Sequence, residues 1–343
     1  MGKQPVVDTA LRAMWTATTL RAARSFSRDA AAHPTTSSDL QYRMRAAMDL
    51  HPRVGKYLSR RTVRAHTPGM WAVADPATSR FVDPAEIDAA VAGVRKDGFY
   101  VFRKVVDSSI TDALRAFAEQ VPCVARGAGL PAAPYPRATP DVGRYDILEE
   151  PALGCAEVQE FATDPGLALV AQRYLEQPVI MDEVAFWWTT TARSDDADLN
   201  AQLFHQDRDR LSFLKYFIYL TDVTPETGPH VYVRGTHRKL PASLRRDGRK
   251  SDDAINGAGL GSAVTELTGP AGTLMAVDTI GLHKGKTPRG GDRLALESEF
   301  ATSLFGADYE LPAFTPTALT KARYDRMPWV LQRYARSCSG GSH

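Results

Sequence analysis

Residues 204–238 read FHQDRDRLSFLKYFIYLTDVTPETGPHVYVRGTHR, and residues 272–300 read GTLMAVDTIGLHKGKTPRGGDRLALESEF. His205 and Asp207 stand two positions apart. On a strand or at its end, side chains at i and i+2 point the same way, so imidazole and carboxylate can grip one ion. His283 supplies a third ligand once the chain folds back. Two histidines and one carboxylate on one face of a metal leave the opposite positions open, the arrangement of non-haem Fe(II) oxygenases. No cysteine stands in this constellation, which disfavours soft-ligand metals.

Strands dominate the second half of the chain. Residues 184–191, 214–221, 231–234, 273–277 and 293–300 are apolar, β-branched or aromatic and are separated by Gly/Pro turns. Many short strands with such turns predict a mainly β domain with flanking helices, a double-stranded β-helix of the cupin-type jelly-roll kind. Parity assigns faces. Arg293, Ala295, Glu297 and Glu299 share one side; Leu294, Leu296 and Phe300 share the other and are expected under helices. Lys215, Phe217, Tyr219 and Thr221 likewise oppose Leu214, Tyr216, Ile218 and Leu220.

Four features together resemble the phytanoyl-CoA dioxygenase family of Fe(II)/2-oxoglutarate oxygenases. They are the HQD at 205–207, the strand FIYLTDV, the GP…GTH turn at 228–237, and His283 followed ten residues later by Arg293. The upstream segment 87–119 also looks like that family's beginning, so the resemblance spans roughly residues 86–305. It implies Fe(II) on His205, Asp207 and His283 and 2-oxoglutarate chelating the iron, with O2 as the other co-substrate. It further implies Arg293 on the distal carboxylate, since guanidinium forks onto carboxylates and stays charged, and the Phe217 ring against 2-oxoglutarate. Arg289, in the turn PRGGD, is expected in solvent. Gln206 is read as a residue that orients a ligand. Lys215, Tyr219, Arg144 and Glu297 are candidates to face the substrate. His230 is read as a hairpin residue and His237 as fixing a loop.

The implied reaction hydroxylates an unactivated C–H bond of a small molecule (a metabolite, lipid or sugar) and releases succinate and CO2. Because Asp207 is a carboxylate where halogenases of the superfamily carry a small residue, halogenation is not expected. Two other classes remain open: a catalytically silent jelly roll that binds a metal or small molecule, and a zinc hydrolase on the same ligands.

Composition agrees with an intracellular globular enzyme. The 343 residues can bury a sizeable core. With 42 basic against 40 acidic residues, nothing recommends nucleic acid as a partner. Cys123, Cys155 and Cys338 form no CxxC pair and no disulfide framework, which fits the cytoplasm. No apolar run approaches the ~20 residues needed to span a bilayer. Three parts are expected: a helical extension over 1–75, the β-helix domain over 76–305, and a helical tail over 306–343. Lys3, Arg12, Arg21, Arg24 and Arg28 make the first helix basic. Its rough apolar stripe is read as packing on the domain or on a second copy of the chain in a homo-oligomer, with a transit peptide or membrane-surface helix as the alternative.

Further helices are predicted over 86–96, with Asp83 as N-cap, and over 111–120, 165–175 and 317–337. The Pro/Gly-rich stretch 122–143 reads as a long loop and candidate lid. Arg126, Arg137, Arg144, Arg208 and Arg210 around it and after the HQD are candidates for an anionic substrate group.

Overall fold

Two-residue alternation organises the computed structural model, which describes residues 75–138, 140–192, 201–208, 210–245, 248–304 and 310–339, together with Ala17. The predicted N-terminal helices, and any subunit contact through them, lie outside the described residues. In chain order the elements are α1 (Ile87–Asp97), β1 (Phe99–Val101), α2 (Ser108–Ala118), β2 (Val124–Ala125), β3 (Arg144–Ile147), α3 (Glu149–Ala152), α4 (Ala156–Ala162), α5 (Pro165–Leu175) and β4 (Ile180–Thr189). There follow β5 (Phe213–Tyr219), β6 (His230–Val233), α6 (Asp252–Gly257), β7 (Val264–Leu267), β8 (Leu274–Val277), β9 (His283–Gly285), β10 (Arg293–Ala301), α7 (Ala318–Arg326) and α8 (Ala335–Cys338).

The strands form a seven-stranded sheet in the order β1-β8-β5-β10-β4-β3-β2 and a three-stranded sheet β7-β6-β9. Every pairing is antiparallel. The two sheets enclose Trp187, Phe217, Tyr219, Tyr232, Leu267, Met275, Val277 and Ala295. This is the jelly roll expected from the strand pattern. Parity holds along β5, β8 and β10, while on β4 a bulge at Asp182 shifts the register, so that Met181 and Val184 both face outward. Leu214, Tyr216 and Ile218 of β5, Leu274 and Ala276 of β8, and Leu294, Leu296 and Phe300 of β10 turn outward into one large apolar core. That core lies against α1, α2, α4 and α5, whose Val94, Leu114, Phe161 and Val170 are fully buried. Behind the small sheet, Val231 and Val233 join Phe204, Leu244, Ile255 and Leu282 in a separate cluster.

Local chemistry fixes the first helix. The Asp83 carboxylate accepts from the Ala85 amide at 2.9 Å, capping a 3-10 turn Pro84–Glu86 that leads into α1. Gly98 ends α1 at φ 94, and its amide returns to the Val94 carbonyl at 2.9 Å. A side chain there would also collide with Tyr232, whose hydroxyl would lie 2.3 Å from the new Cβ. The same hydroxyl would meet a Cβ on Gly281 at 1.9 Å and donates to the Asp278 carbonyl at 2.8 Å. Tyr232 is thus wedged beneath the turn that delivers His283.

Three expectations are corrected. The stretch 122–143 is not a structureless loop: β2 pairs with β3, Cys123 bridges Ala133, and Tyr135 stacks on Trp188 with ring centroids 4.3 Å apart. Residues 127–134 form its longest exposed run. The predicted helix 317–337 breaks after Arg326. Pro328 drives the preceding Met327 out of helical geometry, to φ -132 and ψ 52. The chain then runs through Val330, Leu331 and Tyr334 into the large outer core, where Arg333 pairs with Glu149 at 3.0 Å. The strand expected at 184–191 begins earlier, at Ile180, and ends at Thr189.

Candidate metal and co-substrate site

His205 and His283 are 78 positions apart, yet the backbone sets them face to face. The His205 amide donates to the His283 carbonyl at 2.9 Å and the His283 amide to the His205 carbonyl at 3.0 Å. Two residues on, the Asp207 amide donates to the Thr279 carbonyl at 2.9 Å. The ring centroids of the two histidines are 4.2 Å apart. Each Nδ1 lies against a carbonyl, His205 on Leu203 at 2.8 Å and His283 on Gly281 at 3.0 Å. Each Nδ1 therefore carries the ring proton and each Nε2 presents a lone pair.

Those lone pairs converge on a carboxylate. His205 Nε2 lies 3.6 Å from Asp207 Oδ1 and His283 Nε2 lies 3.6 Å from Asp207 Oδ2. All three ligand atoms fit within 4.8 Å of one another. Burial, then His283, pushes the His205 pKa down to about 3, so the ring is neutral at neutral pH. Burial opposes ionisation of Asp207, but Lys215, with the two imidazoles, holds its pKa well below the usual carboxylate range. Three acceptors with no proton to share attract a cation, and two nitrogens with one oxygen suit a borderline divalent metal.

Arg293 opens β10 opposite Thr189 of β4 and is 5% exposed. Its Nη1 donates to the Gly228 carbonyl and its Nη2 to Thr189 Oγ1 at 3.1 Å, while its Nε is buried without a partner. Burial is the main force pulling its pKa down. Among the described residues no carboxylate pairs with it. A buried guanidinium in this condition has the chemistry to receive an anion. Arg289, as expected, is exposed.

The other candidates separate into groups. Phe217 lies on the inner face, edge-on to Trp187 at 6.3 Å and tilted against His230 at 5.0 Å. Lys215 Nζ bridges Asp207 Oδ2 at 3.2 Å, Glu297 Oε1 at 2.9 Å and Glu299 Oε2 at 3.4 Å. Burial raises the Glu297 pKa, and Lys215 is the main force opposing it. Arg144 lies over the Trp187 ring at 4.3 Å and pairs with Asp146 at 2.7 Å. The Tyr219 hydroxyl is held by backbone, donating to the Leu267 carbonyl at 2.8 Å and accepting from the His230 amide at 2.9 Å. Gln206 donates to the Ile280 carbonyl at 2.6 Å, tying the HQD to the turn before His283. Three arginines already have partners: Arg126 on Asp146, Arg137 on Glu119, and fully buried Arg210 on Asp182.

His230 corrects the sequence reading. It is no hairpin residue but the first residue of β6, 7% exposed, with its ring parallel to that of His283 at 5.3 Å. Its inward direction was available from HVYV: with Val231 and Val233 facing out, His230 and Tyr232 must face in. His237 does fix a loop, its Nε2 lying 3.2 Å from the Arg95 carbonyl.

No curated protein matches this chain. Solved structures similar to it include the following three. The epimerase SnoN, in complex with Fe3+, alpha ketoglutarate and nogalamycin RO, is 18% identical, with 64% of this chain and 84% of that one covered and a TM-score of 0.46. HygX from Streptomyces hygroscopicus, with nickel, 2-oxoglutarate and hygromycin B, is 17% identical over 66% and 88%, at 0.45. EctD from S. alaskensis with bound Fe is 17% identical over 69% and 88%, also at 0.45. At this level of likeness, the neighbours' substrates say nothing about this chain's. The family profile described as Phytanoyl-CoA dioxygenase (PhyH) matches residues 94–292, from inside α1 to the residue before Arg293 and through all three candidate ligands. That is more than half of the 343 residues, and the chain belongs to the phytanoyl-CoA dioxygenase family.

Proposed function

We propose that this protein is an Fe(II)/2-oxoglutarate-dependent oxygenase that hydroxylates an unactivated C–H bond of a polar small molecule. The observation that carries this reading is the convergence of His205, Asp207 and His283 within 4.8 Å in a barrel that also buries Arg293 with no carboxylate against it among the described residues. Two imidazoles and a carboxylate suit a divalent metal. A dicarboxylate that chelates the metal at one end would meet Arg293 at the other.

His205, Asp207 and His283 would hold the metal on one face and leave the opposite face open. Arg293, supported by Gly228 and Thr189, would orient 2-oxoglutarate by its distal carboxylate. When bound, iron and 2-oxoglutarate together reduce O2, giving succinate and CO2 and leaving a hydroxyl on the substrate carbon. The chain's own task is positioning and exclusion of water. Phe217, Trp187 and Met275 supply the dry wall around the co-substrate, and Gln206 braces the two ligand-bearing segments against each other. Asp207 occupies the position a halide would need, which favours hydroxylation over halogenation.

Arg144, Lys215 and Glu297 lie on the same inner face and are the residues proposed to meet the substrate. Although ion-paired, they offer hydrogen-bonding atoms that a polar molecule would use and an acyl chain would not. The exposed tip 127–134 is proposed to close over it. Tyr219, held by the Leu267 carbonyl and the His230 amide and lying against Arg293, is proposed to support β6 and Arg293 rather than touch the substrate. Among the described residues no helix is long and apolar enough to cross a membrane. The cysteines described are free, which supports a cytoplasmic location.

The test is oxygen-dependent release of succinate from 2-oxoglutarate by purified protein. Turnover should require Fe(II), stop on chelation, return when Fe(II) is restored, and fail with Zn(II). Activity sustained by zinc would favour a hydrolase. Metal binding with no 2-oxoglutarate conversion in the presence of any polar metabolite would favour a silent binding protein.

A further inference from the structure

His230 is a buried histidine to which the metal-site argument gives no task. It stands between the two halves of the candidate site. Its ring lies parallel to that of His283, at 5.3 Å and 2°, and against Phe217 at 5.0 Å. Two residues before it, the Gly228 carbonyl accepts from Arg293 Nη1. A molecule reaching from the metal ligands to Arg293 must therefore pass the His230 ring.

The ring is held there by its backbone. The His230 amide donates to the Tyr219 hydroxyl at 2.9 Å, and β6 is paired on both sides, His230 facing Leu267 of β7 and Gly285 of β9. A neutral imidazole carries one N–H. The His230 Nε2 is buried and meets no hydrogen-bond partner, and the same holds for Arg293 Nε on the facing sheet. A polar atom buried without a partner is costly. Two such atoms, one from each sheet of the same barrel, are hard to explain by packing, since an apolar ring at 230 would stack equally well.

We propose that His230, as its Nε2–H tautomer, donates a hydrogen bond to the distal carboxylate of 2-oxoglutarate beside Arg293, and so is a co-substrate-binding residue. The assignment rests on the Fe(II)/2-oxoglutarate reading above. A neutral donor next to the guanidinium adds geometric selection without a second positive charge close to the metal. It favours a five-carbon dicarboxylate over a 2-oxo acid that ends in a methyl group.

The experiment is an anaerobic titration of Fe(II)-loaded protein with 2-oxoglutarate and, separately, with 2-oxopentanoate, which lacks the distal carboxylate. Affinity is read calorimetrically. His230→Phe keeps a stacking ring and removes the N–H; His230→Gln keeps a donor. His230→Phe should weaken 2-oxoglutarate binding by about ten- to a hundredfold, as for a hydrogen bond to a charged group. It should leave both Fe(II) affinity and 2-oxopentanoate binding unchanged, and His230→Gln should recover most of the loss. Wild-type affinity for 2-oxoglutarate in His230→Phe would overturn the proposal, as would an equal loss for both 2-oxo acids. If His230→Phe does not fold, His230→Gln decides: affinity as weak as that of His230→Ala would count against a donor role. Failure of wild-type protein to bind 2-oxoglutarate at all would instead remove the oxygenase reading itself.

Discussion

The two faces of β10 are built from one stretch of chain and do opposite things. Leu294, Leu296 and Phe300 turn outward and are completely buried in hydrocarbon beneath the helices. Arg293, Glu297 and Glu299 turn inward and are almost as buried, yet carry charge. The outer face is hydrocarbon apart from Ser298, whose hydroxyl is buried there without a partner. The inner face holds charge: Lys215 is shared among Asp207, Glu297 and Glu299, and Arg293 has no carboxylate among the described residues. Burial therefore does not separate stabilising from functional residues here. Whether the buried groups carry unbalanced charge does.

The largest effect expected from disturbing the inner face is at Asp207. Asp207→Ala should lower 2-oxoglutarate turnover by about a thousandfold or more, because two imidazoles alone hold iron poorly. Its thermal melt should stay close to wild type. Near-normal succinate release from purified Asp207→Ala would refute the ligand assignment.

Arg293→Ala comes next. Removing one partner of a buried charge pair costs about 3–5 kcal/mol, so the 2-oxoglutarate dissociation constant should rise several hundredfold or more. Arg289→Ala should leave it unchanged. A reversed outcome, with Arg289 the sensitive position, would mean that the anion lies outside the barrel.

The outer face should respond in the other currency. Leu296→Ala should destabilise the fold by about 2–5 kcal/mol in urea denaturation, as for a large-to-small change in a closed core. Its 2-oxoglutarate affinity, measured where the variant is folded, should match wild type. A selective loss of affinity without loss of stability would show that the two faces are not independent.

A further effect concerns pH. The His205 pKa is pushed down to about 3 in the folded metal-free protein, against about 6.5 in an unfolded chain. Below about pH 6.5 the unfolded state binds the extra proton, so stability should fall with pH until about 3 and level off there. Urea midpoints of metal-free protein across this range should show the slope. His205→Gln should flatten it in part, and an unchanged slope would mean that this ring is not buried neutral.

Much of this was legible before any coordinates, because it rests on local rules. Alternation along LKYFIY and RLALESEF assigns each residue a face without knowledge of the neighbours, and the spacing of His205, Asp207, His283 and Arg293 fits a known family order. What escaped depends on pairing across the molecule. The inward direction of His230 could be read from HVYV, but its place beside His283 needed β6 to settle between β7 and β9. Lys215 could be placed inside the barrel, but its contact with Asp207 needed the crossing from β5 to the HQD. β7 has no strong alternation: of its residues only Leu267 is fully buried. The break at Met327 is the exception. Pro328 announces it locally, and a helix read through that proline ignores a rule the sequence states openly.

The central claim is that one barrel holds a metal on His205, Asp207 and His283 and ties it to Arg293 through 2-oxoglutarate. It is tested most directly by adding Fe(II) and 2-oxoglutarate to the protein without oxygen and following the weak visible metal-to-ligand charge-transfer band. The account predicts a band in wild type that is absent in Asp207→Ala and that appears in Arg293→Ala only at several hundredfold higher 2-oxoglutarate. A band of unchanged strength and concentration dependence in both variants, or none in iron-loaded wild type, would contradict it.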